Sequence, residues 1–244
     1  MPFDEIGRSR RGVNIAGLAK VSAGERLEPA TLAASQAYLQ LDNADAALSV
    51  LRDFAEFYPQ RAAPMQQPQA EILASVGRLE EALVATDTAL DYQPWNTGTW
   101  LFRGGVLEEL GRMDEAVDAF RTAYKLAPED PITLNAYGYT LTIATRKFGE
   151  ARRHIEKALA LDPDNPAIMD SLGWVLFKQG KADDALPWLQ QAYGILRDPE
   201  VAAHLGEVYW ALGERAAAER VWQEAGAEFP ANAVLNEVQQ RLLN

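Results

Sequence analysis

Two histidines, His154 and His204, are the only imidazoles in 244 residues, and there is no cysteine. Thiolate metal sites, a cysteine nucleophile and a disulfide framework are therefore excluded by composition. Glu207 lies three residues after His204, but no further donor stands at a ligating spacing. Both histidines are expected to be packed or surface side chains, and no metal is expected. The chain holds no GxSxG, no GxxxxGK[ST] and no HExxH, the patterns that present a nucleophile, cradle phosphate or hold zinc. The carboxylate pairs Glu108-Glu109 and Asp183-Asp184 read as solvated helix faces or helix N-terminal charges. No catalytic residue and no cofactor is expected, so the chain reads as a non-enzyme.

The residues with chemistry left to explain are suited to binding. In DSLGWVLFKQGKADDALPWLQQAY, residues 170–193, Trp174 and Phe177 stand three apart beside Asp170 and Lys178. Flat apolar rings flanked by one charge of each sign are the materials of a protein interface.

The elements that must hold these residues are set by a repeat. Ala47, Ala82, Ala116, Ala151, Ala185 and Ala218 are separated by 35, 34, 35, 34 and 33 residues. Twelve residues before each (thirteen in the fourth case) is a small residue, namely Ser35, Ala70, Gly104, Gly138, Gly173 or Gly206. Small residues at that pitch mark where two antiparallel helices approach closely. Gly77, Gly111, Gly180 and Gly213 fall between the two helices of their units, where a left-handed residue ends a helix without a Cβ penalty. Pro59, Pro94, Pro128, Pro163 and Pro230 close the second helices, because proline has no N–H to continue them.

A period near 34 with these occupants resembles the tetratricopeptide-repeat (TPR) family. Residues 97–130 carry its pattern almost whole, as Trp100, Gly104, Leu107, Ala116, Phe120, Ala123 and Pro128. The resemblance implies an all-α, right-handed α-α superhelix (TPR solenoid) of six helix-turn-helix repeats, at 28–62, 63–96, 97–130, 131–165, 166–198 and 199–232. A capping helix is expected over 233–244, with Val234, Leu235, Val238 and Leu242 on one face. Residues 1–27 lack the period and read as an irregular lead-in, with a short helix near 14–21. Pro64 and Pro68 predict a late or kinked first helix in the second unit. The extra residue in TIATRKFG predicts a lengthened turn in the fourth. Pro187 is expected in the first turn of its helix.

In that family the first helix of each unit lines a concave groove. By resemblance, the partner-binding groove residues are Asn135, Tyr139, Asp170, Trp174, Phe177, Lys178, Glu207 and Trp210. The aromatic rings would anchor apolar side chains, Asn135 would pair with a peptide backbone, and Asp170, Glu207 and Glu108 with basic side chains. Trp100, Trp188 and Trp222 are placed in the core. Some family members grip acidic chaperone tails with a lysine, asparagine and arginine set. Here the equivalent sites are Leu32, Gln36, Gln67, Glu71, Leu101, Gly105, Asn135 and Tyr139, which makes no such clamp.

The net charge of −12 rises to about −14 once residues 1–27 are set aside. A chain this acidic repels phosphate backbones, so nucleic acid is discounted and an apolar or basic peptide or helix of another protein is expected. No segment approaches the roughly 18 apolar residues of a membrane span. Residues 97–244 also resemble the C-terminal repeats of proteobacterial TPR outer-membrane lipoproteins, of which one type is the adaptor of a carboxyl-terminal processing protease. The expectation is a protein-protein scaffold, with that protease or envelope assembly as its implied setting. The alternatives are a self-associating TPR module, forming a homo-oligomer, or a substrate-presenting fragment of a larger enzyme-linked protein. With no secretory signal or lipidated cysteine in the sequence, the default location is cytoplasmic; a fragment of a TPR lipoprotein would be periplasmic or outer-membrane-associated.

Overall fold

The computed structural model describes residues 27–243, and every regular element among them is helical. The expected lead-in and its helix near 14–21 lie outside the described residues, except that Leu27 already opens a helix and is buried. The chain divides into two compact units, meeting in sequence at Arg112 and Met113. The first holds α1 (Leu27–Gln40), α2 (Ala44–Phe57), a 3-10 turn (Pro59–Arg61), α3 (Ala63–Ser75), α4 (Leu79–Tyr92) and α5 (Thr97–Glu109). The second holds α6 (Met113–Leu126), α7 (Pro131–Ala144), α8 (Phe148–Leu161), α9 (Pro166–Lys178), α10 (Ala182–Ile195), α11 (Pro199–Ala211), α12 (Arg215–Glu228) and α13 (Ala233–Leu243). This is the all-helical fold of TPR solenoids, built from helix-turn-helix units.

Sequence sets each helix boundary. Asn96, Asp130, Asn165 and Asp198 cap the first helices of their units, each side-chain oxygen accepting from a backbone N–H two or three residues on. Asn232 caps α13 in the same way, through Leu235 N. Such caps stabilise a helix by about 1 kcal/mol each. Gly77, Gly111, Gly180 and Gly213 have φ of 73°, 71°, 78° and 83°, the left-handed turn expected of them.

The six repeat alanines are wholly buried, each at 0% exposure, and the small residues opposite them sit at close approaches. A Cβ on Gly138 would lie 2.7 Å from Ile155 Cγ1, and one on Gly173 would lie 2.5 Å from Leu189 Cγ. Ser35 adapts to the same place by donating from its hydroxyl to the Ala47 carbonyl at 3.1 Å.

Four local expectations are corrected. The extra residue of the fourth unit does not lengthen its turn. Three residues, 145–147, join α7 to α8, as 179–181 join α9 to α10, and it is α7 that grows to 14 residues beside the 13 of α9 and α11. Of the late start or kink expected of α3, the late start is corrected: the helix begins at Ala63 with Pro64 in its first turn, where a missing N–H costs little, and Pro68 lies inside it. Pro187 is the sixth residue of α10, beyond its first turn. On α13, Leu235 and Val238 are buried while Val234 is exposed, because adjacent helical residues point about 100° apart.

Candidate functional site

The predicted groove residues of the second unit lie on α7, α9 and α11, the first helices of three successive repeats. α9 is buried without interruption from Ile168 to Leu176. A helix covered on every side has no amphipathic stripe, so Asp170 and Trp174 are drawn inside with the apolar residues. Trp174 is 6% exposed and Asp170 is 6% exposed, which corrects the expectation that they stand open to a partner.

Their surroundings give the reason. Both carboxylate oxygens of Asp170 lie 3.0 Å from His204 Nδ1, so an Nδ1–H donates to the carboxylate. The His204 ring stacks on Trp174 with centroids 3.8 Å apart and planes 18° apart. Lys178 Nζ lies 4.0 Å from the Trp174 ring centroid. Two neighbours this close over one ring occupy its opposite faces, so the indole is not a free anchor. Phe177 packs beside it at 5.4 Å and is half-buried.

The other groove acids are also engaged within the chain. The Tyr139 hydroxyl donates to a Glu200 carboxylate oxygen, crossing α9 from α7 to α11. Its ring is 6.3 Å from His204. Glu207 accepts from Arg241 of α13 at 2.6 Å. Neither Asp170 nor Glu207 is therefore left over for a basic partner, contrary to the sequence reading. Trp210 is half-buried, with the Arg215 guanidinium 3.5 Å over its ring.

Burial pushes the His204 pKa down, but the charge and hydrogen bond of Asp170, joined by Glu200 and Glu207, outweigh it and raise the pKa above 6.5. His204 is thus held towards its charged form by a ring of carboxylates. A histidine oriented by a carboxylate is half of a nucleophilic triad. Among the described residues, however, no hydroxyl bonds its other nitrogen, and no group of three His, Asp or Glu side chains could hold a metal ion. The pair therefore braces two successive repeats, α9 against α11.

Sequence reasoning missed His204 because it looked for partners close in sequence. The signal was available: Asp170 and His204 are 34 residues apart, one repeat, which brings them onto neighbouring first helices. His154 is packed against Tyr124 and Tyr137, at 4.8 and 5.1 Å between centroids. Of the three tryptophans placed in the core, Trp222 is there at 1% exposure. Trp100 and Trp188 are half-buried, and the Trp100 indole donates to the Pro94 carbonyl at 2.8 Å.

Two polar atoms of this face are left without partners. The Asn135 Oδ1 is buried and has no hydrogen-bond partner among the described residues. The buried indole N–H of Trp174 also meets no acceptor.

Comparisons with known proteins bear on the fold and the family. Residues 52–201 match a family model described as the cytochrome c-type biogenesis protein H TPR domain, and residues 199–224 match a tetratricopeptide repeat model. The TPR repeat-containing protein PA4667 of Pseudomonas aeruginosa is 35% identical over 189 residues, covering 78% of this chain and 32% of that protein. The cytochrome c-type biogenesis protein CycH of Bradyrhizobium diazoefficiens is 32% identical over 111 residues, covering 45% of this chain and 30% of that one. The chain thus spans about a third of the length of these relatives. A tetratricopeptide repeat protein from Parabacteroides merdae shares the fold, with a TM-score of 0.75 at 17% identity over 88% of this chain and 85% of that one.

Proposed function

The chain belongs to the tetratricopeptide-repeat family, through the cytochrome c-type biogenesis protein H TPR domain, and from that premise we propose how it acts. It is a scaffold for protein interactions. In the proposal it is non-catalytic, and it takes an extended segment or helix of a partner against the half-buried residues of α7 and α11 and the C-terminal end of α9 at Phe177. Asn135 carries this reading: its buried Oδ1 has no hydrogen-bond partner among the described residues. A side-chain amide, donor and acceptor in one plane, is the complement of a peptide bond. Tyr139, one turn on from it along α7, and Phe177 of α9 supply half-buried ring surface, and the internal hydrogen bonds and ion pairs fix the shape of the face before a partner arrives, which lowers the entropic cost of binding.

Two partners are supported, by different observations. The match over 52–201 and the CycH relatives support a client in cytochrome c-type biogenesis. The likeness of residues 97–244 to envelope TPR lipoproteins supports a carboxyl-terminal processing protease. The immobilised chain, challenged separately with an apocytochrome c and with such a protease, distinguishes them. One of the two should be retained by the wild type and at least fivefold less by Asn135→Ala. Equal retention of the client by the wild type and by Asn135→Ala would remove Asn135 and this face from the reading.

A further inference from the structure

Where α7 runs into its turn, the second unit has a hollow of about 550 Å³, within the range of sites that hold several side chains. Thr142, Ile143, Arg146, Phe148, Trp174 and Lys178 line it, and its lining includes no carboxylate. Both threonine hydroxyls are already used, Thr142 donating to the Gly138 carbonyl and Thr145 to that of Leu141. The charges are not used. Arg146 is exposed and makes no ion pair among the described residues, and Lys178 has ring faces as its neighbours, Trp174 at 4.0 Å and Phe177 at 5.9 Å.

Burial against those rings lowers the Lys178 pKa from 10.5, with Glu207 opposing and Arg241 adding to the shift. Lys178, like Arg146, is exposed, so both cations are within reach of an incoming anion, and no carboxylate in the lining competes for them. Both cations stand at helix C-terminal ends, where they offset the carbonyl dipoles. That role accounts for their positive charge but does not require Lys178 to lie over two rings. Ile143 beside them is 41% exposed, an apolar surface that an aliphatic side chain would cover.

We propose that this hollow docks an acidic, apolar peptide segment, with its carboxylates on Arg146 and Lys178 and an aliphatic side chain on Ile143 and Phe148. The inference rests on the scaffold reading and reverses the polarity that the overall charge suggests. The groove acids are already paired within the chain, so the charges left unpaired in this hollow are positive. The sites differ from the chaperone-tail clamp, since Arg146 is a turn residue and Lys178 ends a helix.

The test uses the full chain and three fluorescein-labelled nonapeptides of alternating leucine with glutamate, glutamine or lysine, followed by anisotropy. At about 50 mM salt the glutamate peptide should bind about tenfold more tightly than the glutamine one, and the preference should shrink at about 500 mM as the charges are screened. Arg146→Gln/Lys178→Met should abolish the preference. Arg146→Gln alone, at an exposed turn that leaves the fold intact, should weaken the glutamate peptide about threefold. Equal affinity for the glutamate and glutamine peptides would overturn the acidic preference while leaving the scaffold reading standing. So would a preference that survives in both variants. Binding of no peptide at all would remove the hollow, and the scaffold reading would still be judged on partner retention by Asn135→Ala.

Discussion

Asp170 and His204 are one repeat apart in sequence and face to face in space, with both carboxylate oxygens 3.0 Å from one imidazole nitrogen. Breaking a buried pair from one side leaves the other partner desolvated and unpaired. Asp170→Ala should therefore destabilise the second unit by about 3–5 kcal/mol, read as a fall in the urea midpoint. Asp170→Asn keeps an acceptor for the Nδ1–H and should lose about 1 kcal/mol. Equal losses in the two variants would mean that packing volume is what matters at this position.

The same pair sets a pH dependence. The folded His204 pKa lies above the ordinary 6.5, so the folded state holds its proton more tightly than the unfolded chain does. Its stabilisation is complete below about pH 6.5 and is lost as pH rises through the folded value. The groups around it are Asp170 and Trp174 of α9, Tyr139 of α7, and Glu200 and Glu207 of α11. Urea midpoints between about pH 6 and pH 9 should fall on the alkaline side in the wild type. In Asp170→Asn the slope should flatten, because burial, which favours the neutral ring, has lost its main opponent. Parallel curves for the two proteins would remove His204 as the source.

The fold was legible in the sequence and the state of the site was not. Spacing alone located the close approaches of Gly138 and Gly173 and the left-handed turn at Gly180, because backbone geometry admits few other residues there. It did not show that Trp174 is covered. An apolar ring at a groove position is compatible with exposure or burial, and the decision rests with His204 and Lys178 in three dimensions. The acids misled for the same reason. Asp170 and Glu207 look available along one helix, and their partners lie on the next first helix and on the capping helix.

The capping helix should contribute more than a polar cover. Leu235 is 1% exposed, and Arg241 reaches back to Glu207. Truncating a fully buried leucine costs about 2–4 kcal/mol. Leu235→Ala should lower the midpoint by that much, whereas Val234→Ala, at an exposed position, should change it by less than about 0.5 kcal/mol. Similar effects at the two positions would contradict the packing of α13.

Two glycines inside first helices make opposite predictions. A Cβ on Gly206 would lie 1.9 Å from Trp222 Nε1 and 2.3 Å from Cε2. Trp222 is itself at 1% exposure, so its ring has nowhere to withdraw without displacing the core. Gly206→Ala should cost about 1–3 kcal/mol or more, the ordinary penalty of overpacking. At Gly105 of α5 a Cβ meets nothing within 4 Å, and alanine is the better helix former. Gly105→Ala should stabilise the chain by up to about 1 kcal/mol, by restricting the unfolded chain and favouring the helix. Thermal unfolding of the two variants measures both effects. If Gly206→Ala unfolds at the wild-type temperature, the Trp222 ring has room that this packing denies it.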